Sequence, residues 1–361
     1  MSDTLPQLRQ KIDALDEQIQ TLISQRAQVA VEVAAAKAGS GDSDNSFYRA
    51  EREAEVLSKV KARNQGPLSD QEIARLFREI MSACLALEQV MTIAYLGPQG
   101  TYTQAAALKH FGHSVETVSQ ASIADVFREV ESGNAAYGVV PVENSTEGMI
   151  THTLDEFMNS PLHICGEVEL RIHHCLLSQA QELSAIHKVY AHRQSLAQCH
   201  RWLDAHLANV ERLDVSSNAE AAKRAAAERG AAAIAGETAA EIYGLQTLVK
   251  NIEDESDNTT RFLVIGQRQT PACGRDKTSI LVYTDNKPGA LHRLLAPLAI
   301  NNVSMTRIES RPSRRGMWNY VFFIDLEGHQ TDAAVAAALQ ALQQEANMVK
   351  VLGSYPKAII L

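Results

Sequence analysis

"LRQKIDALDEQIQTLISQRAQVAVEVAAAK", residues 8–37, decides how the first quarter of the chain folds. With Leu5 ahead of it, Leu8, Ile12, Leu15, Ile19 and Leu22 recur at alternating spacings of three and four, a coiled-coil-like seam. The spacing predicts a helix from about Thr4 to Ala38, roughly 50 Å long at ~1.5 Å per residue. That is too long for a compact unit of about ninety residues, so two chains are expected to intertwine. The next seam positions are Arg26, Val29 and Val33, which puts a guanidinium where a leucine belongs.

Further helical stretches, broken at 38–46 and 64–70, run to residue 91 and repeat the anomaly. Glu53 leads Val56, Leu57 and Val60 on one face, and Glu88 interrupts the stripe Ile73, Phe77, Ile80, Cys84, Met91. Charges on an apolar face are costly unless paired or liganded. Two readings stand: an internal ion pair of Arg26 with Glu88 or Glu53, or a polar cavity holding an anion. Arg26 and Lys37, three turns apart, share a face and bracket such a ligand. Arg9 lies about 42 Å from Lys37 along a straight helix, so it reaches the same ligand only from a second copy.

From residue 92 the period changes. Short apolar runs ("MTIAYLG", "AAYGVVPVE", "KVYAHR", "AAAIAG", "RFLVIG") alternate with helical stretches to about residue 271, the mark of an α/β domain. After a linker at 269–277, the order β-α-β-β-α-β follows, an α+β ferredoxin-like domain. The expected domains are 1–91, 92–271 and 272–361. Polar residues gather at strand ends: Thr101 and Thr103 in "YLGPQGTYTQAAAL" (95–108); Asn144, Ser145 and Thr146 in "VVPVENSTEGMI" (139–150); His192, Ser195 and Gln198 in "VYAHRQSLAQCHRWL" (189–203); Thr259, Thr260, Arg261 and Phe262 in "NIEDESDNTTRFLVIG" (251–266). Four such clusters point to one cleft between two lobes. His173 and His174 read as strand-flanking.

The net charge of −9, from 34 basic and 43 acidic residues, argues against a nucleic-acid scaffold. No apolar run reaches the length of a membrane span, and the first residues lack a secretory pattern. The five cysteines contain no C-x-x-C pair, which suits a reducing cytoplasm and thiols packed as small hydrophobes. No metal spacing, dinucleotide fingerprint or G-x-S-x-G occurs, so no metal or other cofactor is expected.

Three resemblances follow from these stretches. The helix above, with "YRAERE" and "RLFREIMSACLALEQ", resembles the all-helical chorismate mutase. This implies an intertwined dimer converting chorismate to prephenate, with Arg26, Lys37, Arg52, Glu53 and Glu88 at the site and Arg9 supplied in trans. Some members carry Gln at the position of Glu88. A glutamate donates there only when protonated, so mutase activity is expected to fall as pH rises. Arg49 stands where some relatives have an acid, which leaves Glu53 as the partner for the substrate hydroxyl. "GPQGTYT", "VPVENSTEG", "HRQSLAQC", "AIAGETAAEIYGL" and "NTTRF" resemble prephenate dehydratase. This implies a two-lobed fold like periplasmic binding proteins and conversion of prephenate to phenylpyruvate. Thr260 is then the group that hydrogen-bonds the departing hydroxyl, with Glu237 or a helix-end amide as its relay. Thr101, Asn144, Ser145, Thr146, His192, Ser195, Gln198, Thr259, Arg261 and Phe262 surround the substrate. His192 is followed by Arg193 where relatives have proline.

"KPGALHRLLAPLAINNVSMTRIESRP" carries two motifs of the ACT regulatory domain, Gly289-Ala290-Leu291-His292 and Glu309-Ser310-Arg311-Pro312. The resemblance implies phenylalanine as effector at a dimer interface. A helix opening on Pro-Gly holds its carboxylate, and Asn302 with the edge of the following strand holds its amine. A different class of reading is a non-catalytic amino-acid sensor with a helical dimerisation stalk. The charged set Arg9, Arg26, Lys37, Glu53 and Glu88 argues against it, since a stalk has no use for those residues.

Overall fold

In the computed structural model, residues 4–39, 48–146, 148–312 and 320–358 are described, without the side chains of 38 and 39. Most of the expected first break and the turn at 313–319 lie outside them. Helix α1 (Leu5–Gly39) is continuous, as the seam requires, and is followed by α2 (Ala50–Arg63) and α3 (Asp70–Ala86). The Ser69 hydroxyl accepts from the Glu72 amide at 3.1 Å and starts α3, with Asp70 and Glu72 in its positive first turn. Within one chain the α1 seam faces solvent: Leu15, Ile19 and Leu22 are 54, 53 and 63% exposed.

The stripe expected to be the buried face of α3 is only half-buried at Ile73, Phe77 and Ile80. The fully buried positions are Ala74, Arg78 and Ser82, with Cys84. Of these, Arg78 and Ser82 meet the C-terminal end of the first helix of the next domain, α4 (Tyr102–Phe111). Arg78 Nη1 donates to the Lys109 carbonyl at 2.9 Å, Glu79 accepts from the His113 amide at 3.1 Å, and Ser82 Oγ accepts from the Ser114 amide at 3.3 Å. Gly112, at φ +76, lies so close that a Cβ there would sit 2.5 Å from Ser82 Cβ.

His110 is half-buried in this junction, its Nε2 3.0 Å from the Tyr48 hydroxyl. Burial, then the charge of Arg78, lowers its pKa to about 3. Between about pH 6.5 and 3 the unfolded chain therefore binds a proton that the folded chain refuses. Stability is expected to fall on acidification across that window by ~1.4 kcal/mol per pH unit. Thermal melts between pH 7 and 4.5 check this: His110→Gln should flatten the slope, and an identical slope would refute it.

Two lobes follow. The first holds β1 (Thr92–Leu96), β2 (Glu116–Gln120), β3 (Tyr137–Asn144), β4 (Gly148–Met149), β5 (His163–Arg171) and β11 (Thr259–Gly266), in order β2-β1-β3-β11-β5 with β4 on β3. The second holds β6 (Cys175–Ser178), β7 (Lys188–His192), β8 (Glu211–Val215), β9 (Ala231–Ala235) and β10 (Gln246–Val249), in order β10-β6-β9-β7-β8. The chain passes between lobes at 172–174 and 250–258, and these crossings are bonded to each other. The Ile252 amide donates to the His174 carbonyl at 2.9 Å, and the Ile172 amide to the Asn258 carbonyl at 2.8 Å. Glu253 accepts from the His174 amide at 2.8 Å. Such paired crossings are the hinge of a two-lobed binding fold.

The last domain has the order expected: β12 (Asp276–Thr284), α11 (Ala290–Ile300), β13 (Met305–Pro312), β14 (Tyr320–Glu327), α12 (Ala333–Glu345) and β15 (Met348–Pro356), with β13 at the sheet edge. It shares a core with the first lobe, where Leu281, Phe323, Leu352 and Tyr355 pack with Phe157, Ile164 and Leu263. Gly353 is required there, because a Cβ would lie 2.2 Å from the Ile164 carbonyl oxygen. Arg261 crosses the same junction. It is 6% exposed and donates to Glu167 at 2.8 Å, Asp325 at 2.7 Å and the Tyr355 hydroxyl at 3.0 Å. Lys277 also pairs with Glu167, at 2.8 Å, so the buried network balances two cations against two anions.

Candidate functional site

The helical domain contains a cavity of about 390 Å³ lined by Arg26, Lys37, Arg52, Glu53 and Glu88, with Arg49, Val33 and Cys84. Thus α1 contributes two cations, and α2 a cation and an acid. Glu88 stands in the turn beyond α3, not within the helix as its spacing suggested. Its Oε2 is buried without a hydrogen-bond partner. The expected internal pair of Arg26 with Glu88 or Glu53 is not formed. Glu53 is instead bonded to Arg78 Nε at 2.9 Å. Burial raises the Glu53 pKa, opposed by the charge and hydrogen bond of Arg78 and by a hydrogen bond from Tyr48. Arg78 was missed because a single arginine between Phe77 and Glu79 reads as an exposed helix position. Arg9 is exposed and does not line this cavity.

A second cavity, of about 430 Å³, lies between the lobes and is lined by Thr101, Asn144, His192, Ser195, Gln198 and Thr260. The first turns of α4 and α9 (Asn218–Ala227) open onto it through Thr101, Tyr102, Thr103 and Asn218. No Asp, Glu, Lys or Arg is among the described residues that line it. Anion binding there falls to backbone amides, hydroxyls and side-chain amides.

Register explains the central pair. β3 and β11 run antiparallel with Asn144 opposite Thr260, and Asn144 Nδ2 donates to Thr260 Oγ1 at 2.9 Å. Asn144 also donates to Asn258 Oδ1 at 2.8 Å and accepts from the Thr146 amide at 3.0 Å, which fixes its orientation. Thr260 Oγ1 accepts from Asn144, so its own proton is left to donate into the cleft. Opposite, Asn218 Nδ2 donates to Ser195 Oγ at 2.7 Å, while its Oδ1 accepts from the His192 amide at 2.9 Å.

His174, read from the sequence as strand-flanking, lines this cavity at 1% exposure. Its ring lies 2.9 Å from the Tyr102 hydroxyl and 2.8 Å from Gln198 Oε1. This holds Gln198 so that its Nε2 is buried without a partner, a donor available to a carboxylate. Burial lowers the His174 pKa and favours the neutral ring. Its place at a lobe crossing was invisible while the two sheets were unassigned.

Several expected contacts are absent. Glu237 is bonded to Lys250 and lines a neighbouring pocket, not the cleft. Ser145 Oγ accepts from the Thr259 amide at 3.0 Å, and Thr146 Oγ1 donates to Asn258 at 3.4 Å; these residues fasten the strand ends. Arg261 turns to the opposite face because side chains alternate along a strand, and Phe262 is core at 1% exposure.

In the C-terminal domain, Gly289 at φ +75 caps α11 as the Pro-Gly pair implies, and Leu291 and His292 are exposed at its first turn. Asn302 follows that helix at φ +54. Glu309, Ser310 and Pro312 lie on the edge strand β13. Arg311 is committed to Asp155 at 3.2 Å, and Arg307 of the same strand pairs with Glu143, beside Asn144. Arg311 therefore reaches across to the neighbouring domain.

Family models match in the same order: chorismate mutase type II over residues 8–89, prephenate dehydratase over 93–270 and ACT domain over 278–344. A protein of Stutzerimonas stutzeri named bifunctional chorismate mutase/prephenate dehydratase is 57% identical over 362 residues, covering 99% of each chain. The chain belongs to the bifunctional chorismate mutase/prephenate dehydratase family. The solved prephenate dehydratase from Arthrobacter aurescens in complex with L-Phe is 35% identical, with a TM-score of 0.68 over 74% of this chain and 90% of that one. A structure described as GqqA, a novel type of quorum quenching acylase, is 29% identical, with a TM-score of 0.69 over 74% of this chain and 98% of that one. As a bifunctional mutase/dehydratase, the chain keeps its cationic cavity and its uncharged cleft in separate domains. No described helix is long and apolar enough to cross a membrane, and the described residues contain no cluster suited to a metal ion.

Proposed function

We propose that residues 1–91 convert chorismate to prephenate, residues 92–271 convert prephenate to phenylpyruvate, and residues 272–361 bind phenylalanine as inhibitor. The observation that carries the mutase reading is the meeting of Arg26, Lys37, Arg52, Glu53 and Glu88 in one cavity. The rearrangement passes through no covalent enzyme intermediate. It needs a compact substrate conformer and positive charge or donors near the breaking ether bond. Arg26 and Arg52 grip carboxylates, Glu53 accepts from the ring hydroxyl, and Lys37 and Glu88 donate to the ether oxygen. Arg9 of a second copy completes the clamp. The second copy covers the α1 seam: each buried Leu or Ile contributes roughly 1.5–3 kcal/mol, so six along the seam contribute on the order of 10 kcal/mol.

For the dehydratase, carbon dioxide leaves the quaternary ring carbon, and its bonding pair enters the ring. The ring hydroxyl leaves from the opposite carbon, taking a proton to become water. Thr260 donates toward that oxygen. The α4 amides, Asn218, Ser195 and Gln198 hold the carboxylates. Aromatisation supplies the driving force, so a weak donor held in place suffices. Phenylalanine sits between α11 and the free edge of β13. Since β13 also carries Arg307 and Arg311, bonded to Glu143 and Asp155, effector binding reaches the cleft wall directly. The reading places the enzyme in the cytoplasm.

The test is a coupled assay from chorismate to phenylpyruvate, with and without phenylalanine; failure of either step, or indifference to phenylalanine, refutes the corresponding part. Glu88 provides a sharper check, since its buried Oε2 has no hydrogen-bond partner within the chain. Glu88→Gln keeps a donor there and should retain mutase activity, whereas Glu88→Ala should lower kcat about 10²-fold; parental activity in Glu88→Ala would remove Glu88 from the donor role.

A further inference from the structure

We propose that the mutase cavity is completed by the dehydratase domain, with His110 and the Lys109 carbonyl acting through Tyr48 and Arg78 as positioning groups for Glu53. The inference rests on reading the helical cavity as the mutase site.

Two routes of hydrogen bonds converge on the Glu53 carboxylate, and both begin in α4. In the first, Arg78, 7% exposed, donates Nε to Glu53 Oε1 at 2.9 Å and Nη1 to the Lys109 carbonyl at 2.9 Å. The guanidinium is planar, so fixing one edge on a helix-end carbonyl fixes the direction of the other. In the second, Tyr48 bonds to Glu53 and lies 3.0 Å from His110 Nε2. A carboxylate has no proton to give, so the single Tyr48 proton goes to Glu53. The hydroxyl oxygen must then accept from His110 Nε2–H. That requires a neutral ring protonated on Nε2, in keeping with its burial. The next residue, Phe111, lines the mutase cavity itself beside Tyr48. The end of α4 thus supplies one wall and both anchors of the acid that meets the substrate hydroxyl. A carboxylate left to its own rotamers swings between several positions, whereas this one is held by two donors.

The full-length enzyme is tested with chorismate and, separately, with prephenate. Arg78→Gln should lower mutase kcat/KM ~10- to 100-fold and Tyr48→Phe about tenfold. Each should raise KM for chorismate, while dehydratase activity stays within twofold. In a Glu53→Gln background, Tyr48→Phe should add almost nothing, because its action passes through Glu53. Mutase activity within twofold of the parent in Tyr48→Phe would overturn the proposal. So would parallel loss of both activities, or a fall in kcat at unchanged KM, since those mark a merely structural role. Tyr48→Phe removes one oxygen and decides the matter if Arg78→Gln does not fold. Full mutase activity in Glu53→Gln alone would instead overturn the reading of the cavity.

Discussion

Thr260→Val is expected to lower dehydratase kcat ~10²–10³-fold, the usual cost of losing one donor aimed at developing negative charge. The reason is local. Thr260 Oγ1 accepts from Asn144 at 2.9 Å, so its proton is directed into a cleft whose described lining holds no acid. Valine keeps the β-branched shape and the strand, and loses only the hydroxyl. Thr260→Ser should retain most of the rate, and mutase activity should be unchanged in both variants. Dehydratase activity above a tenth of the parent in Thr260→Val would mean that the hydroxyl does not serve the leaving group.

Arg26→Met should cost the mutase a similar ~10²–10³-fold in kcat/KM, because truncating one partner of a buried, hydrogen-bonded charge pair typically costs 2–5 kcal/mol. Arg26 is half-buried on the cavity side of α1 and makes no ion pair with Glu53 or Glu88, so its charge is directed at a ligand. Methionine suits the apolar seam, and the variant should be at least as stable as the parent, with the same sedimenting mass. A stable Arg26→Met enzyme with parental mutase kinetics would leave the cavity without its main carboxylate anchor. Dehydratase activity, some distance along the chain, should stay within twofold.

Much of this arrangement is legible in the order of residues. The α1 seam, the strand-helix alternation and the β-α-β-β-α-β close are local periodicities, and each appears in the fold. Arg26, Glu53 and Glu88 were visible because charges stand out on an apolar stripe, whereas Arg52 came only from the resemblance to chorismate mutase. Arg78 and His174 were not visible. Nothing near Arg78 distinguishes it from a solvated helical arginine until α4 is laid across it. His174 acquires meaning only when two segments about eighty residues apart become neighbouring lobe crossings. Arg261 shows the opposite error: a motif groups residues by adjacency, whereas a strand sends neighbours to opposite faces; Glu237 opens a helix and turns to Lys250 while its neighbour Gly236 lines the cleft.

The sequence by itself determined the helices, the strands and the residue types able to grip a dianion, because these depend on spacing along one chain. Only the tertiary structure decided which charges face a cavity and which are spent joining domains. That choice depends on what the other face of each element packs against. Glu53 and Arg261 were both expected at a substrate site; one lines a cavity and the other ties two sheets together because of the neighbours that folding brings to them.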